Sequence, residues 1–452
     1  MEKARSSFSG KIGFVLAAAG SAVGLGNIWR FPYLAAKYGG GIFLLIYIVL
    51  AVTFGFALMT AEIAIGRKTH LSAIGAYKKL NKRFSFLGAL TSFVPMIIFP
   101  YYCVIGGWIT KYLAAFVAGE AGAAAEGEPY FNGFVSQLGQ PLLWFFVFLA
   151  LTAAIVMMGV EKGIEKASKI MMPILVTLSV IICAYVVCMP GAGEGIAYYF
   201  MPDFRNFSFT TVLAALGQLF YSMSLAMGIM ITYGSYMKKE VNIESSVGQI
   251  ELFDTGIAVL AGLMIVPAVF VFSGGNTADL QAGPSLMFIT LPKVFGSMPF
   301  GSAIGAVFFL LVLFAALTSS ISLMETVVSI LQDKLHWSRR IVCLIVALGA
   351  ILIGIPSSLG FGVWNGVRIL GMTILDFFDF ISNSVIMPIV AFLTCIFVGY
   401  VIGTKTISEE VKLSSRFRRE KLFVIVIKYI APICIVLILA SSVLNSLGVI
   451  RI

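Results

Sequence analysis

The chain has 452 residues, of which 60% are hydrophobic and 12% are charged. Soluble globular domains carry about 25% charged residues, so this composition excludes an ordinary soluble protein and indicates a polytopic membrane protein. The 31 Lys and Arg residues outnumber the 21 Asp and Glu residues, and the net charge is +10. The basic residues lie in short polar gaps between apolar runs, which is typical of cytoplasmic loops and argues against nucleic-acid binding.

Apolar runs long enough to cross a bilayer recur along the chain. Because a span needs about 20 apolar residues, the sequence predicts an all-α polytopic membrane protein with about eleven transmembrane helices. The predicted spans lie near residues 11–37, 41–66, 86–117, 142–159, 165–188, 209–237, 243–273, 299–332, 339–355, 370–402 and 422–450.

Charge in the polar gaps predicts the orientation of these spans. Six Lys and Arg residues lie between positions 67 and 83, whereas the gap near 118–141 contains three Glu residues and no Lys or Arg. Cytoplasmic loops carry the excess of Lys and Arg. We therefore expect a multi-pass protein of the cell's inner (plasma) membrane, with a cytoplasmic N-terminus and with the C-terminus at Ile452 outside.

The middle of the first span is poorly suited to a continuous helix. It contains Gly20, Gly24 and Gly26, and glycine inside a helix costs about 1 kcal/mol relative to alanine. Bare backbone at membrane depth is tolerated only in a protein-lined cavity, and the Asn27 and Arg30 that follow indicate a functional site. We interpret the stretch as a broken helix that binds a solute and cations. Close helix packing through Gly20-x-x-x-Gly24 is the alternative.

The sixth span is interrupted in the same way. It carries Gln218, Ser222 and Ser224 at mid-membrane, between Gly217 and Gly228. Interrupted helices in corresponding positions are typical of inverted-repeat transporters with a binding site near the midplane. We therefore expect an inverted five-plus-five repeat with broken helices 1 and 6. The expected segments are a cytoplasmic N-terminal gate segment (1–10), the first repeat (11–188), the second repeat (209–402), and a cytoplasmic loop with the eleventh helix (403–452).

Later spans contain further polar or helix-weakening residues. Asp254 lies in the seventh span; Thr318 and Ser319 lie in the eighth, where their hydroxyls could equally bond back to the preceding turn. In the fifth span, Gly163 and Pro173 weaken the inner half of the helix, because proline removes a backbone hydrogen bond. We interpret this pair either as a hinge that unwinds during transport or as an ordinary proline kink.

The stretch from Gly20 to Pro32, with Gly39, Gly40 and Gly41 after it, resembles the neurotransmitter:sodium symporter family. The similarity runs from about residue 5 to the end of the tenth span. It is closest to the short bacterial amino-acid transporters, many of which lack a twelfth span. The resemblance implies sodium-coupled symport of a neutral amino acid into the cell by alternating access, with two sodium ions as coupling ions.

The resemblance also implies which residues bind the ions and the substrate. The first sodium ion would be held by Ala22, Asn27, Ser222 and Asp254. The second would be held by Gly20, Val23, Ala315, Thr318 and Ser319. The amino acid would contact Ala22, Gly24, Leu25, Gly26, Ile98, Tyr102, Tyr221, Ser222, Ser224, Met227, Ser319 and Leu323. These sets agree with the chemistry, because small hard cations prefer oxygen ligands and broken helices free their carbonyls.

Two gates are implied on either side of this pocket. Outside, Arg30 would pair with Asp379 and Tyr221 would cover the pocket. Inside, Arg5 would pair with Asp333, and Tyr236 would assist this pair.

The sequence departs from the family pattern at three positions. Phe8 replaces an N-terminal tryptophan of the inner gate, and Ala226 stands where many relatives have glycine. Glu325 occupies a position that is uncharged in many relatives, and no role is assigned to it. Glu62 would support the unwound sixth helix.

Two residues refine the expected transport reaction. Gly24 leaves room for a carboxylate where amine carriers of the family have an acid, so an amino acid is expected. Because the pocket is mostly apolar, a hydrophobic side chain of moderate size is expected. Asp254 is expected to replace the chloride of animal members. After sodium leaves, this buried carboxylate would take up a proton, which would make the carrier a proton antiporter as well.

A membrane sensor that binds the amino acid without net transport is the main alternative. Paired broken helices and two gates argue against it, since a sensor needs one access route. An ion channel would need a continuous polar path, and no catalytic constellation indicates an enzyme. The expected partners are a small amino acid, sodium and the lipid bilayer, with no nucleic acid; the sequence does not predict the oligomeric state.

Overall fold

The structure is a computed structural model that describes residues 6–274 and 283–446. Most of the chain in these ranges is helical, and β-pairing there is limited to two isolated bridges. The helices of seven or more residues are α1 (Lys11–Ala22), α2 (Gly26–Lys37), α3 (Gly41–Thr69), α4 (Ala73–Leu80), α5 (Lys82–Val117), α6 (Glu128–Val135), α7 (Gly139–Met157), α8 (Val160–Val187), α9 (Ala192–Phe200), α10 (Phe209–Ser222), α11 (Ile229–Ser235), α12 (Ile243–Phe272), α13 (Leu286–Ser297), α14 (Gly301–Leu335), α15 (Arg339–Leu359), α16 (Ile374–Val401), α17 (Thr404–Lys412) and α18 (Glu420–Leu444).

Nine of the helices in the described ranges are long and apolar enough to cross a membrane, namely α3, α5, α7, α8, α12, α14, α15, α16 and α18. The bent pair α1 and α2 meets the same length and composition criteria when its two halves are taken together, which would make it a tenth span. The all-α polytopic membrane fold is therefore confirmed. The sixth predicted span corresponds to two short helices, α10 and α11, so the total of eleven spans stays a prediction.

The first span breaks between α1 and α2, as the glycines predict. Helix α1 ends because Val23 adopts an extended conformation, with φ −73° and ψ 95°. The axes of the two halves differ in direction by 52°. The amide of Gly24 donates to the Asn27 side-chain oxygen at 3.1 Å instead of to a helical carbonyl. The break thus lies within the predicted stretch, and one of its amides is satisfied locally.

The sixth span breaks between Ser222 and Ile229. Three residues of this segment have positive φ: Ser224 at +53°, Ala226 at +60° and Gly228 at +75°. A left-handed conformation costs roughly 1–2 kcal/mol for a residue with a side chain, so the surroundings must hold the first two in place. Glu62 contributes, because its Oε1 accepts a hydrogen bond from the Ala226 amide at 2.7 Å.

The broken helices lie at the centre of the molecule. Helices α5 and α14 are its most buried spans, with 72% of the apolar window of each inside the protein, against 33% for α18. Helix α1 packs on α8, α12 and α14, while α11 packs on α3. The polar gaps before α7 and before α10 also contain short helices, α6 and α9, which were not predicted.

Candidate functional site

A buried polar cluster joins both broken helices to α12. Asp254 is fully buried, and its Oδ1 accepts hydrogen bonds from the Asn27 amide group at 2.8 Å and the Ser222 hydroxyl at 2.7 Å. The Tyr47 hydroxyl of α3 donates to Oδ2 at 3.1 Å. The three side chains expected at the first sodium site therefore lie together. Tyr47 was not predicted, because in the sequence it is indistinguishable from a core aromatic residue of an apolar span.

This cluster has the chemistry of a cation site. Within the described ranges, Asp254 is bonded only by amide and hydroxyl groups and by no cationic side chain. A buried carboxylate is costly unless a positive charge balances it, and oxygen ligands suit sodium. Ala22 is the last residue of α1, where carbonyls lack partners within the helix. The residues present therefore fit a sodium ion.

A second oxygen-rich group surrounds Ser319 on α14. The Ser319 hydroxyl lies 3.1 Å from the Ser21 carbonyl oxygen, 3.4 Å from that of Val23 and 3.5 Å from that of Gly20. These carbonyls all belong to the broken end of α1. Carbonyl and hydroxyl oxygens gathered at an unwound helix end are typical ligands for a coupling ion.

Thr318 lies beside the same helix end, but its hydroxyl bonds within α14. It donates to the carbonyls of Phe314 at 3.0 Å and Ala315 at 3.1 Å. This bonding to the preceding helical turn is one of the two arrangements that the sequence allowed. A Cβ atom built on Gly20 would lie 3.1 Å from the Thr318 Cβ. The five residues expected at the second sodium site are therefore neighbours, and their role as ligands stays a prediction.

Between the two clusters lies a small cavity of about 40 Å³. All twelve residues expected to contact the substrate line this cavity, and Ser21, Asn27 and Ile229 complete the lining. Asn27 and Ser222 belong both to the cavity wall and to the Asp254 cluster. The geometry thus brings this cavity into contact with both oxygen-rich clusters.

One end of the cavity suits a carboxylate. A Cβ atom on Gly24 would lie 2.7 Å from the Ser319 Oγ and 3.3 Å from the Tyr102 hydroxyl oxygen, so the glycine leaves this space open. The buried Tyr102 hydroxyl lies close to the Leu25 amide and the Ser319 side chain, without a well-aligned hydrogen bond in the described ranges. A buried hydroxyl gains free energy from a well-aligned partner, and helix N-termini such as that of α2 favour anions.

The rest of the lining includes apolar side chains, those of Ile98, Met227, Ile229 and Leu323. The Ser224 hydroxyl is already satisfied, because it donates to the Ser21 carbonyl at 2.9 Å. Ala226 is buried but does not line the cavity. Any effect of its methyl group on substrate size must therefore act through the backbone of the unwound segment.

Tyr221 separates this cavity from a larger outer one. Its side chain lines both, and the outer cavity has a volume of about 320 Å³. A Cβ atom on Gly26 would meet the Tyr221 ring at 2.5 Å, so the ring lies directly over the start of α2. Tyr221 is therefore positioned as the expected cover of the pocket.

Arg30 and Asp379 line the outer cavity but do not form the predicted direct ion pair in the described structure. The Arg30 guanidinium lies 5.4 Å from the centre of the Tyr221 ring. Asp379 accepts hydrogen bonds from the Tyr101 hydroxyl at 3.0 Å and the Asn383 amide group at 2.7 Å. Each charged group is thus held by a neighbour of its own, which explains the difference from the expectation.

The inner gate is described only in part, since Arg5 lies outside the described residues. Asp333 accepts a hydrogen bond from the Ser72 amide at 2.7 Å. The Tyr236 hydroxyl donates to Glu325 Oε1 at 2.7 Å. The sequence left Glu325 without a role, and the structure brings it into contact with an expected gate residue.

Glu325 is fully buried and forms an ion pair with Arg339. Arg339 also donates to the Val156 carbonyl at 2.8 Å, so it joins the inner ends of three helices. Phe8, which replaces the family tryptophan, is buried with its ring centre 6.1 Å from that of Tyr236. Aromatic packing and a buried ion pair thus lie at the side of the site where the inner gate is expected.

Helix α8 is continuous through the expected hinge, from Val160 to Val187. Its first turn is π-helical and contains Gly163, while Pro173 lies within the regular helix. Glu165 accepts hydrogen bonds from the Ser9 amide at 2.8 Å and from the Ser9 hydroxyl. The N-terminal segment is therefore attached two residues beyond Gly163. Unwinding of this half during transport stays a prediction.

Comparison with known proteins identifies the family. A model described as the sodium:neurotransmitter symporter family matches residues 5–122 and 131–449. The chain belongs to this family. It is 35% identical to an uncharacterized sodium-dependent transporter, YhdH, of Bacillus subtilis over 98% of both chains. It is 31% identical to an uncharacterized sodium-dependent transporter of Haemophilus influenzae over 97% of this chain and 98% of the relative.

A solved structure supports the same assignment. The crystal structure of MhsT in complex with L-phenylalanine matches with a TM-score of 0.86 and 37% identity, over 97% of this chain and all of the other. The resemblance noted in the sequence is therefore confirmed, and with it the fold of a multi-pass sodium symporter.

Proposed function

We propose that the chain is a sodium-coupled symporter that carries a neutral amino acid with a hydrophobic side chain into the cell by alternating access. One observation carries this proposal. All twelve expected substrate contacts line a single cavity that also touches both oxygen-rich clusters. The sodium-dependent relatives and the phenylalanine-bound structural neighbour support the same reading.

Shared residues supply the physical basis for coupling. Asn27 and Ser222 line the cavity and donate hydrogen bonds to Asp254. A sodium ion at this cluster would hold the same two side chains that form the cavity wall. Coupling between two ligands is reciprocal, so sodium would strengthen substrate binding and substrate would strengthen sodium binding.

The cavity favours an amino acid over an amine. The space beside Gly24, the Tyr102 hydroxyl and the start of α2 would receive the carboxylate. The carbonyls at the broken ends of the helices would receive the ammonium group. The apolar part of the lining, with Ile98, Met227 and Leu323, would contact an aliphatic or aromatic side chain of the substrate.

Asp254 is proposed to make transport independent of chloride. Its carboxylate supplies a fixed negative charge beside the first sodium site, where three donors already surround it. Once sodium and substrate leave, the buried charge is unbalanced, and uptake of a proton from the cytoplasm would neutralise it. The return step would then export a proton.

The expected segments and gates complete the proposal. Residues 11–188 and 209–402 would form the two inverted repeats, residues 1–10 the cytoplasmic gate segment, and residues 403–452 a cytoplasmic loop and the last helix. Arg30 and Asp379 would close the outside, and Arg5, Asp333 and Tyr236 the inside. We propose a location in the plasma membrane with the N-terminus inside and the C-terminus outside, and two sodium ions per cycle.

Uptake of radiolabelled amino acids into proteoliposomes tests the proposal. An inward sodium gradient should drive accumulation of leucine, isoleucine, valine, methionine or tyrosine, and dissipating the gradient should abolish it. A sensor would bind without counterflow of labelled substrate, so binding without counterflow would refute transport. A biogenic amine that outcompetes every amino acid would refute the substrate class.

The Tyr102 hydroxyl gives a sharper test of the carboxylate position. Tyr102→Phe should weaken amino-acid binding roughly 10- to 150-fold, because a hydrogen bond to a charged group contributes about 1.5–3 kcal/mol. Tyr112→Phe is the matched control: its hydroxyl on the same helix donates to the Phe288 carbonyl at 2.8 Å, away from the cavity. Equal losses in both variants would contradict the assignment.

A further inference from the structure

The segment from the end of α3 to the start of α5 carries five exposed cations without acidic neighbours in the sequence. Lys68, Lys78, Lys79, Lys82 and Arg83 are exposed, and no Asp or Glu occurs from position 63 to position 119. In the ranges that the structure describes, none of the five takes part in an ion pair, and the Lys79 ammonium donates to a backbone carbonyl. We call the other four, Lys68, Lys78, Lys82 and Arg83, the loop patch.

Several other basic side chains expected on the same side of the membrane are neutralised within the protein. Pairs with an acid are Arg67–Glu410 at 2.7 Å, Lys169–Glu165 at 2.6 Å, Lys412–Glu420 at 2.8 Å and Arg419–Glu251 at 3.5 Å. The loop patch therefore concentrates positive charge that the protein itself does not balance.

The loop patch lies where a helix enters the bilayer. Lys82 and Arg83 begin α5, one of the membrane-crossing helices. Phe86 and Phe93 on the same helix are 54% and 56% exposed. Residues seven apart lie on one face of a helix, so these two rings form an apolar strip that leads from the cations into the membrane.

The loop is held in place, so its cations are not on a mobile tail. The Ser72 amide donates to Asp333 at 2.7 Å, and the Lys79 ammonium donates to the Thr69 carbonyl at 3.1 Å. The Arg83 amide donates to the Asn81 side chain at 3.0 Å. An anionic phospholipid has a negatively charged headgroup next to its apolar acyl chains. An ordered group of cations beside an apolar strip matches both parts of such a lipid.

We propose that the loop patch binds the phosphate headgroup of an anionic phospholipid, whose acyl chains lie along Phe86 and Phe93. Clusters of basic residues immediately next to a transmembrane helix attract anionic lipids. None of the four cations lines the substrate cavity, so the proposal holds whichever amino acid is carried.

Native mass spectrometry of the full-length protein tests the proposal, with phosphatidylglycerol and phosphatidylcholine of identical acyl chains as probes. The wild type should retain phosphatidylglycerol preferentially. Lys78→Gln/Lys82→Gln/Arg83→Gln should bind it roughly 100-fold more weakly, since three cations near the surface are lost. The single variant Lys82→Gln should weaken binding roughly fivefold, since one cation near the surface is lost.

A charge-matched control uses three exposed cations of other polar segments, in the variant Arg340→Gln/Lys405→Gln/Arg416→Gln. It should retain phosphatidylglycerol like the wild type. Equal losses in the two triple variants would overturn the proposal, because a diffuse positive surface would then explain binding. Displacement of the lipid by millimolar glycerol phosphate would also overturn it, because the site would then take a free anion. The proposal would likewise be overturned if the wild type showed no preference for phosphatidylglycerol over phosphatidylcholine.

Discussion

Replacing Asp254 with serine or asparagine should make uptake respond to chloride. In the wild type, the carboxylate accepts hydrogen bonds from Asn27, Ser222 and Tyr47 at 2.8, 2.7 and 3.1 Å. Donors therefore already surround the position that requires negative charge. A mobile anion bound by the same donors can replace the carboxylate, and serine leaves more room for it than asparagine.

The expected loss of sodium affinity follows from the attraction between the Asp254 carboxylate and the sodium ion. Two unit charges about 4 Å apart attract each other by about 4 kcal/mol at an effective dielectric constant of about 20. Because about 1.4 kcal/mol corresponds to a factor of ten, sodium affinity should fall by up to about 1,000-fold without chloride. In Asp254→Ser, chloride should restore most of this loss. Uptake by both variants should also depend less on internal pH.

The assay compares sodium-driven uptake into proteoliposomes in chloride and in gluconate, at fixed membrane potential. Glu251→Gln is the matched control, because Glu251 is a buried carboxylate one turn away on the same helix that pairs with Arg419 at 3.5 Å. This control should stay independent of chloride. Collapse of wild-type uptake in gluconate would refute the reasoning, and so would a chloride response of Glu251→Gln equal to that of the Asp254 variants.

Three further variants test other parts of the site. Gly24→Asp should abolish amino-acid uptake, because even a Cβ would lie 2.7 Å from the Ser319 hydroxyl oxygen; retained leucine uptake would contradict the carboxylate assignment. Ala226→Gly should relieve part of the strain of a left-handed alanine, about 1–2 kcal/mol, and extend the substrate range to tryptophan. Competition between amino acids for uptake measures the substrate range. Tighter binding of tryptophan than of leucine by the wild type would contradict this prediction. Pro173→Ala should slow turnover while leaving equilibrium binding nearly intact, because it restores a backbone hydrogen bond in α8; unchanged turnover would remove the hinge hypothesis.

The breaks in the first and sixth spans could be predicted because they depend on local chemistry. Gly24 and Gly26 weaken the helix wherever it packs, and polar residues such as Ser222 and Ser224 mark a segment that lipid would not tolerate. The membrane-crossing helices likewise follow from runs of apolar residues. The grouping of remote residues such as Ile98 and Leu323 around one cavity was predicted from the family resemblance, and local pattern alone would not have predicted it.

Other features depend on distances between helices that are far apart in sequence, and only the tertiary structure decided them. Tyr47 reads as a core aromatic residue until packing brings its hydroxyl 3.1 Å from the Asp254 carboxylate. Residues near Glu325 in the sequence do not indicate its role, whereas the folded structure places Arg339 in an ion pair with it. Arg30 and Asp379 face one cavity yet stay apart. The free energy of such contacts depends on steeply distance-dependent hydrogen bonds and charges, and shifts of a few ångströms in helix packing create or remove them.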